Sequence, residues 1–508
     1  MEGSNVCSLA DLSAVDARRL IGNGELSPVE LLDACLARIE SIEPAVNALA
    51  ATAFERARDE ARRAEQAVAR GEALGVLHGL PIGVKDLEET GGLLTTYGSP
   101  LYRDHVPVSD NAFVARLRAA GAIVAAKTNV PEMGAGANTR NAVWGATGNP
   151  FDTRLNAGGS SGGSAVALAT GMVPLATGSD LGGSLRIPAA LCGVVGYRAS
   201  PGLVPSERRV LGWAPNWVSG PMGRNVADVR LQLAAVAGHA SADPLSYPAT
   251  LDAFAREPRL DLSALRIGYT EDFGACAVDA SIRATFRAKI ERLSRIVAQC
   301  EPIDIDLREA HRVFDVVRAQ EFVASLRETY ERDPSLLGAN TRTNYEMGGA
   351  LTLADVARAE TQRTALYRQF QAHFSRYDVI VSPVSPVTPF AWTTSHCESI
   401  DGTPLENYYR WVALTYVVTV LTNPSMSLPC GIDHAGMPFG LQLIGPMRGD
   451  ARLLDAAQAL EGAFAREPAL ARPVPDLAAL RGTPHQARAA LRSIVTDPPR
   501  LRDASLSL

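Results

Sequence analysis

"NAGGSSGGSAVALATG", residues 156–171, decides how the chain is read. Four glycines and three serines fill positions 158–164, and the sequence then turns abruptly apolar. A flexible linker would not run straight into the helix-like residues 165–169. A phosphate-binding loop needs GxxxxGK[ST], and no lysine follows here. A dinucleotide fingerprint needs GxGxxG after a strand with an acidic residue further on, and the spacing differs. What remains is a tight turn at a helix N-terminus that carries two adjacent hydroxyls. Its glycines let the backbone approach a neighbour closely and take conformations closed to other residues.

The next segment, "GSDLGGSLRIPAALCG" (178–193), repeats the design: an apolar strand at 173–176, a glycine turn, a serine, then an apolar helix. A serine in such a turn can expose its oxygen while backbone N–H groups converge on the same point, which supplies a nucleophile and an oxyanion hole together. The plain alternative is that Ser184 only caps its helix. A third stretch, "GLPIGVKDLEET" (79–90), puts Lys85 at the end of an apolar strand spanning 80–84. A lysine there is ordinarily a surface residue. If it is buried, desolvation lowers its pKa and the neutral amine can act as a base.

Together the three stretches resemble the amidase signature family. That family carries a lysine after a GLP-x-GVKD-type strand, a GGSSGG segment 75 residues later, and a GSD-x-GGS-x-R-x-PA segment whose serine lies 24 residues beyond; the same offsets separate Lys85, Ser160 and Ser184. Further matches are "TTYGSP" (95–100), "LRAAGAIVAAKTNVPEMG" (117–134), "NPFDTRLNAGGSSGGS" (149–164), "VSGPMGR" (218–224) and "PFGLQLIGP" (438–446), so the likeness covers roughly residues 8–465. The 308–375 and 390–415 segments match the family least and are expected to shape the entrance to the site. The resemblance implies a Ser–cis-Ser–Lys triad, with Ser184 as nucleophile, Ser160 as bridging serine in a cis peptide after Gly159, and Lys85 as general base. It also implies an oxyanion hole from the N–H groups of Leu181, Gly182, Gly183 and Ser184. Ser161, Gly159, Asp180 and Arg186 are given supporting roles, as are Asp86 and Asn156. No metal or organic cofactor is implied, and a homodimer, common in the family, stays open.

The rest of the chain fits a soluble cytoplasmic enzyme. Of 508 residues, 46% are apolar and 20% charged, with a net charge of −6 and no block of Lys or Arg, which argues against nucleic acid or an anionic membrane as partner. Seven cysteines without a CxxC pair, and eight dispersed histidines, form neither a disulfide framework nor a metal site. The N-terminus lacks the basic start and apolar core of a secretory signal, and the longest apolar run, 411–421, is too short to span a bilayer.

Residues 1–70 are expected to be helical and to pack on the core. Ser27, Pro28 and Glu30 spell a capping box before an amphipathic run. Residues 71–470 alternate short apolar runs with helices, which predicts a single large α/β domain: a mixed, mostly parallel central sheet with helices on both faces. Strands are also expected at 265–272, 377–383 and 440–446, and helices at 281–299, 308–375 and 450–464. The tail, 471–508, is rich in Pro and Arg and is expected to lie at the surface.

The predicted reaction is cleavage of the C–N bond of a carboxylic amide through an acyl-enzyme, releasing acid and ammonia or an amine. Met133, Gly134 and Ala135 in "PEMGAGANT" (131–139) are the candidate acyl-pocket wall, with Tyr97 and Trp144 beside them. They carry no fixed charge, which favours an apolar or aryl amide; carbamates, aryl ureas and esters are chemically open. Tyr408, Tyr409 and Trp411 are either pocket or packing. Two other readings stand. One is the glutamine-hydrolysing subunit of a tRNA-dependent amidotransferase, from which "VPEMGAGAN" (130–138) departs. The other is an inactive binding relative, which the intact Lys85, Ser160 and Ser184 oppose.

Overall fold

The computed structural model describes residues 8–258 and 260–481. Its centre is one sheet of 11 strands: β1 (Leu49–Thr52), β2 (Pro81–Lys85), β3 (Ile123–Thr128), β4 (Leu175–Asp180), β5 (Val195–Arg198), β6 (Val218–Gly223), β7 (Arg266–Tyr269), β8 (Gln299–Pro302), β9 (Val379–Pro383), β10 (Ser425–Ile432) and β11 (Pro438–Ile444). They lie side by side in the order β1-β3-β2-β4-β6-β5-β10-β11-β9-β7-β8. The sheet is mixed, as expected, but its parallel share is smaller than the sequence suggested. Parallel pairing is confined to β3-β2-β4 on one side and β9-β7-β8 on the other. Between them every pairing is antiparallel. The short connection from β10 to β11 leaves no room for the crossover a parallel pair needs.

Both faces of the sheet are covered. Along β3, Ile123 and Ala125 enter one apolar core and Val124 the other, as the two-residue period of a strand requires. Burial on both sides explains why β2 and β3 read as continuous apolar runs rather than alternating ones.

The N-terminal segment contributes α1 (Pro28–Val46) and α2 (Phe54–Ala69). Ser27 closes the capping box with Glu30, Pro28 opens α1, and Asn47 ends it in a left-handed conformation. One correction falls here: residues 49–52 form edge strand β1, antiparallel to β3. "LAAT" has little strand propensity of its own, and pairing with β3 imposes the conformation.

Other expectations shift by a few residues. The strand placed at 173–176 is β4, Leu175–Asp180, and so includes Ser179 and Asp180. The helix placed at 281–299 stops at Leu293, and residues 299–302 form β8. Two short helices follow the serine turns: α3 (Gly162–Ala169) and α4 (Arg186–Cys192). The 308–375 region is three helices, α5 (Glu309–Arg332), α6 (Ala339–Gly349) and α7 (Leu353–Ala372). Of the tail, Leu477–Arg481 is helical and packs against α1 with Leu480 buried, while 482–508 lie outside the described residues. No helix among the described residues is long and apolar enough to cross a membrane.

Candidate active site

Strands β2 and β4 run parallel and end side by side, which brings Lys85 at the end of β2 next to Ser179 near the end of β4. The Lys85 backbone N–H donates to Thr177 Oγ1 at 2.8 Å, tying the two strand ends together. Its side chain is fully buried, and Nζ lies 2.8 Å from Ser160 Oγ and 2.9 Å from Ser179 Oγ. Burial drives the ammonium from 10.5 down to about 7, against the opposing pull of Glu88 and Asp180. An amine so poised can accept a proton near neutral pH.

Ser160 stands in the turn that leads into α3, after a cis peptide bond between Gly159 and Ser160. The turn is braced at both ends. Gly158 N–H donates to Asn156 Oδ1 at 3.0 Å, and Gly162 N–H to Thr139 Oγ1 at 3.1 Å. The two serine turns touch directly: Ser161 N–H donates to the Ser184 carbonyl at 3.3 Å. Ser161 Oγ accepts from the Ser179 N–H at 3.4 Å, so its contacts are structural.

The second turn is built around Asp180. Its carboxylate accepts from Gly183 N–H at 2.8 Å and Leu185 N–H at 3.3 Å, and it pairs with Arg186 at 3.0 Å and Arg198 at 3.2 Å, all fully buried. Burial would raise this acid, but Arg186 and Arg198 hold it down to about 2. Arg186 continues the brace to the Thr415 carbonyl, Thr419 and Gln442. Gly183 sits at φ +130°, and a Cβ there would fall 2.1 Å from Thr415 Oγ1, so only glycine fits.

One of the expected oxyanion-hole donors is engaged within the turn. The Gly183 N–H is already spent on Asp180, whereas those of Leu181, Gly182 and Ser184 make no hydrogen bond among the described residues.

Ser160, Ser179 and Ser184 all line one cavity of about 480 Å³. Leu87, Phe113, Met133, Leu181, Trp217 and Phe322 give it apolar walls, and Tyr97 and Gly134 also reach it. Met133 lies in a left-handed conformation, φ 49°, in the short turn that presents it. Ala135 does not line this cavity; it packs with Phe322, Leu326 and Leu337. Trp144 does not reach it either. Its Nε1 donates to Thr96 Oγ1, which in turn donates to Asp86, so the indole braces the segment after β2. Tyr408, Tyr409 and Trp411 are buried; the first two border a separate pocket of about 20 Å³ that Ser184 also lines.

Three features are not visible in the sequence. Ser179 is a second hydroxyl on the Lys85 amine, hidden because a serine before an aspartate carries no signal of its own. Glu88 lines the cavity, fully buried, and accepts from Ser219 at 2.8 Å and from Asn111; burial raises its carboxyl. The cavity also has charged walls: Glu89, Glu207, Arg208, Arg209 and Glu321. Among the described residues no group of three or more His, Cys, Asp or Glu is arranged to hold a metal ion.

A family description, amidase, matches residues 30–454. The chain belongs to the amidase family. This amidase is 34% identical over 466 residues to a subunit of the glutamyl-tRNA(Gln) amidotransferase of Cyanothece sp., covering 86% of this chain and 95% of that one. It is 32% identical over 461 residues to an acylamidase of Rhodococcus erythropolis, covering 89% and 95%. Among solved structures, a bacterial aryl acylamidase of the amidase signature family superposes with a TM-score of 0.83 at 25% identity, covering 94% of this amidase and 98% of that chain. The inhibitor-bound complex of an s-triazine catabolic enzyme gives 0.81 at 28% identity, covering 91% and 99%. The amidase is therefore an amide-hydrolysing enzyme of the amidase signature family, with the mixed sheet and flanking helices of its neighbours.

Proposed function

We propose that this amidase cleaves the C–N bond of small apolar or aryl carboxylic amides through an acyl-enzyme on Ser184. The observation that carries the reading is the fully buried Lys85 amine, 2.8 Å from Ser160 Oγ, with Ser160 and Ser184 lining one cavity. Serine needs a base to attack at neutral pH, and a lysine that loses its charge near 7 supplies one. Lys85 takes the Ser160 proton while Ser160 takes that of Ser184, whose oxygen bonds to the carbonyl carbon. The N–H groups of Leu181, Gly182 and Ser184 receive the oxyanion. As the C–N bond breaks, Ser160 passes its proton to the leaving nitrogen and is refilled from the Lys85 ammonium. A water molecule then repeats the sequence on the acyl ester and releases the acid.

The substrate class rests on the apolar walls near Met133, Leu87 and Phe322, and on the likeness to acylamidases. A panel of anilides, primary amides, esters, carbamates, aryl ureas and glutamine tests it. Anilides or apolar amides should be turned over fastest, and turnover restricted to small charged amides such as malonamate would reject it. The second reading, glutamine hydrolysis within a tRNA-dependent amidotransferase, draws support from the 34% identity to such a protein. It requires glutaminase activity and co-purifying partner subunits.

A further inference from the structure

The charged groups that line the catalytic cavity differ in one respect. Arg208 pairs with Glu89 and with Glu207, and donates to the Asp110 carbonyl. Arg209 pairs with Asp243 at 2.5 Å. Glu89 also accepts from Tyr97 at 2.8 Å, Glu207 from the Ala112 N–H at 2.9 Å, and Glu88 from Ser219 and Asn111. Each of these charges is satisfied within the protein. Glu321, on α5, is the exception: its carboxyl leans on the Asn216 side chain, but Oε1 is buried and has no hydrogen-bond partner among the described residues.

The surroundings of Glu321 do not supply the missing donor. Arg209, whose charge acts on this carboxyl, is committed to Asp243. Arg363 donates to the Val420 carbonyl at 2.9 Å and faces Glu360 at 3.9 Å; its Nη2 is also buried and unpartnered, so it makes no hydrogen bond to Glu321 Oε1. Asn216 Oδ1 is itself buried and unpartnered, as is the hydroxyl of Ser206, which lines the same cavity. A buried acceptor without a donor is destabilising, and more so when charged. Burial accordingly pushes the Glu321 carboxyl up to about 7. A donor arriving with the substrate would remove that cost.

We propose that Glu321 is a specificity-determining residue that receives an amino nitrogen of the substrate, remote from the scissile amide. This inference rests on the acyl-enzyme reading of Ser184 and narrows it. The preferred amides carry an apolar or aryl body for the Leu87, Met133 and Phe322 side of the cavity and an ammonium or N–H group for Glu321.

The test uses the full chain and two fluorophosphonates of matched length, one ending in a primary ammonium and one in a methyl group. The second-order rate of Ser184 labelling is measured for each with wild type, Glu321→Gln and Glu321→Asp. Wild type should label faster with the ammonium probe by about tenfold or more, the effect of one charge-assisted hydrogen bond. E321Q should bring the ratio of the two rates near one, and E321D should keep part of the preference. A wild-type ratio near one, or a ratio that E321Q leaves in place, overturns the assignment. Loss of labelling by both probes in equal proportion in E321Q also overturns it, because that is the mark of a structural role. If neither probe labels the wild type, the Ser184 reading falls and takes this inference with it.

Discussion

The pH dependence of turnover follows from the burial of Lys85. A lysine at its ordinary 10.5 is about 0.03% neutral at pH 7, whereas one lowered to about 7 is about half neutral. The fold therefore supplies more than a thousandfold more free base at neutral pH. Only the neutral amine can accept the Ser160 proton, so kcat/KM should fall about tenfold per pH unit below 7 and reach roughly 1% of its plateau near pH 5. Above about pH 8 it should be flat. The assay is initial-rate hydrolysis of a neutral anilide from pH 5 to 10, a substrate without an amino group so that the ionisation of Glu321 does not enter. A limb rising all the way to pH 10, or a profile flat from 5 to 9, would refute the reasoning, since either means that the amine at position 85 is not the base.

Other expectations follow from the same contacts. Because folding lowers the Lys85 pKa, the unfolded chain binds more protons between about pH 7 and 10.5, so stability rises with pH across that window. Lys85→Met removes the titrating group, and urea melts should show its stability advantage over wild type shrinking by about 2 kcal/mol between pH 7 and 9. Asp180→Asn leaves Arg186 and Arg198 buried against a neutral partner and should cost about 3–5 kcal/mol, read by chemical denaturation. The stability that Asp180 contributes is present above the usual carboxylate range and lost as pH falls towards 2. Gly183→Ala drives a Cβ into Thr415 and should lower kcat by about 10²-fold or more through the displaced N–H groups of the turn, with kinetics as the check.

The sequence is informative where chemistry and periodicity coincide. The end of β2 is legible because an apolar run stops on Lys85, and the capping box at Ser27–Glu30 because its residues have no other common use together. The serine turns are legible from composition, since glycine and serine there serve close backbone approach rather than packing. What escapes depends on tertiary partners. β1 is made of alanine-rich residues that only β3 holds extended. The pattern places β4 two residues early because Thr177–Asp180 are polar yet buried, satisfied by contacts with Lys85, Ser161 and the two arginines. An indole near a catalytic motif invites assignment to the pocket, but the Trp144 N–H finds Thr96 instead. Nothing in "DLGGS" shows that the aspartate three residues earlier folds back onto the Gly183 N–H. Glu321 sits on a helix whose charged residues are mostly solvated, so its buried oxygen leaves no trace in the pattern.

The proposed mechanism requires proton transfer from Ser184 through Ser160 to a buried neutral amine. Peptide mapping by mass spectrometry after fluorophosphonate treatment tests it most directly. The adduct should fall on the peptide that contains Ser184, be absent in Ser184→Ala, and form at least 10²-fold more slowly in Lys85→Ala at pH 7. An adduct on another residue, or a Lys85→Ala variant that is labelled at the wild-type rate, would contradict it.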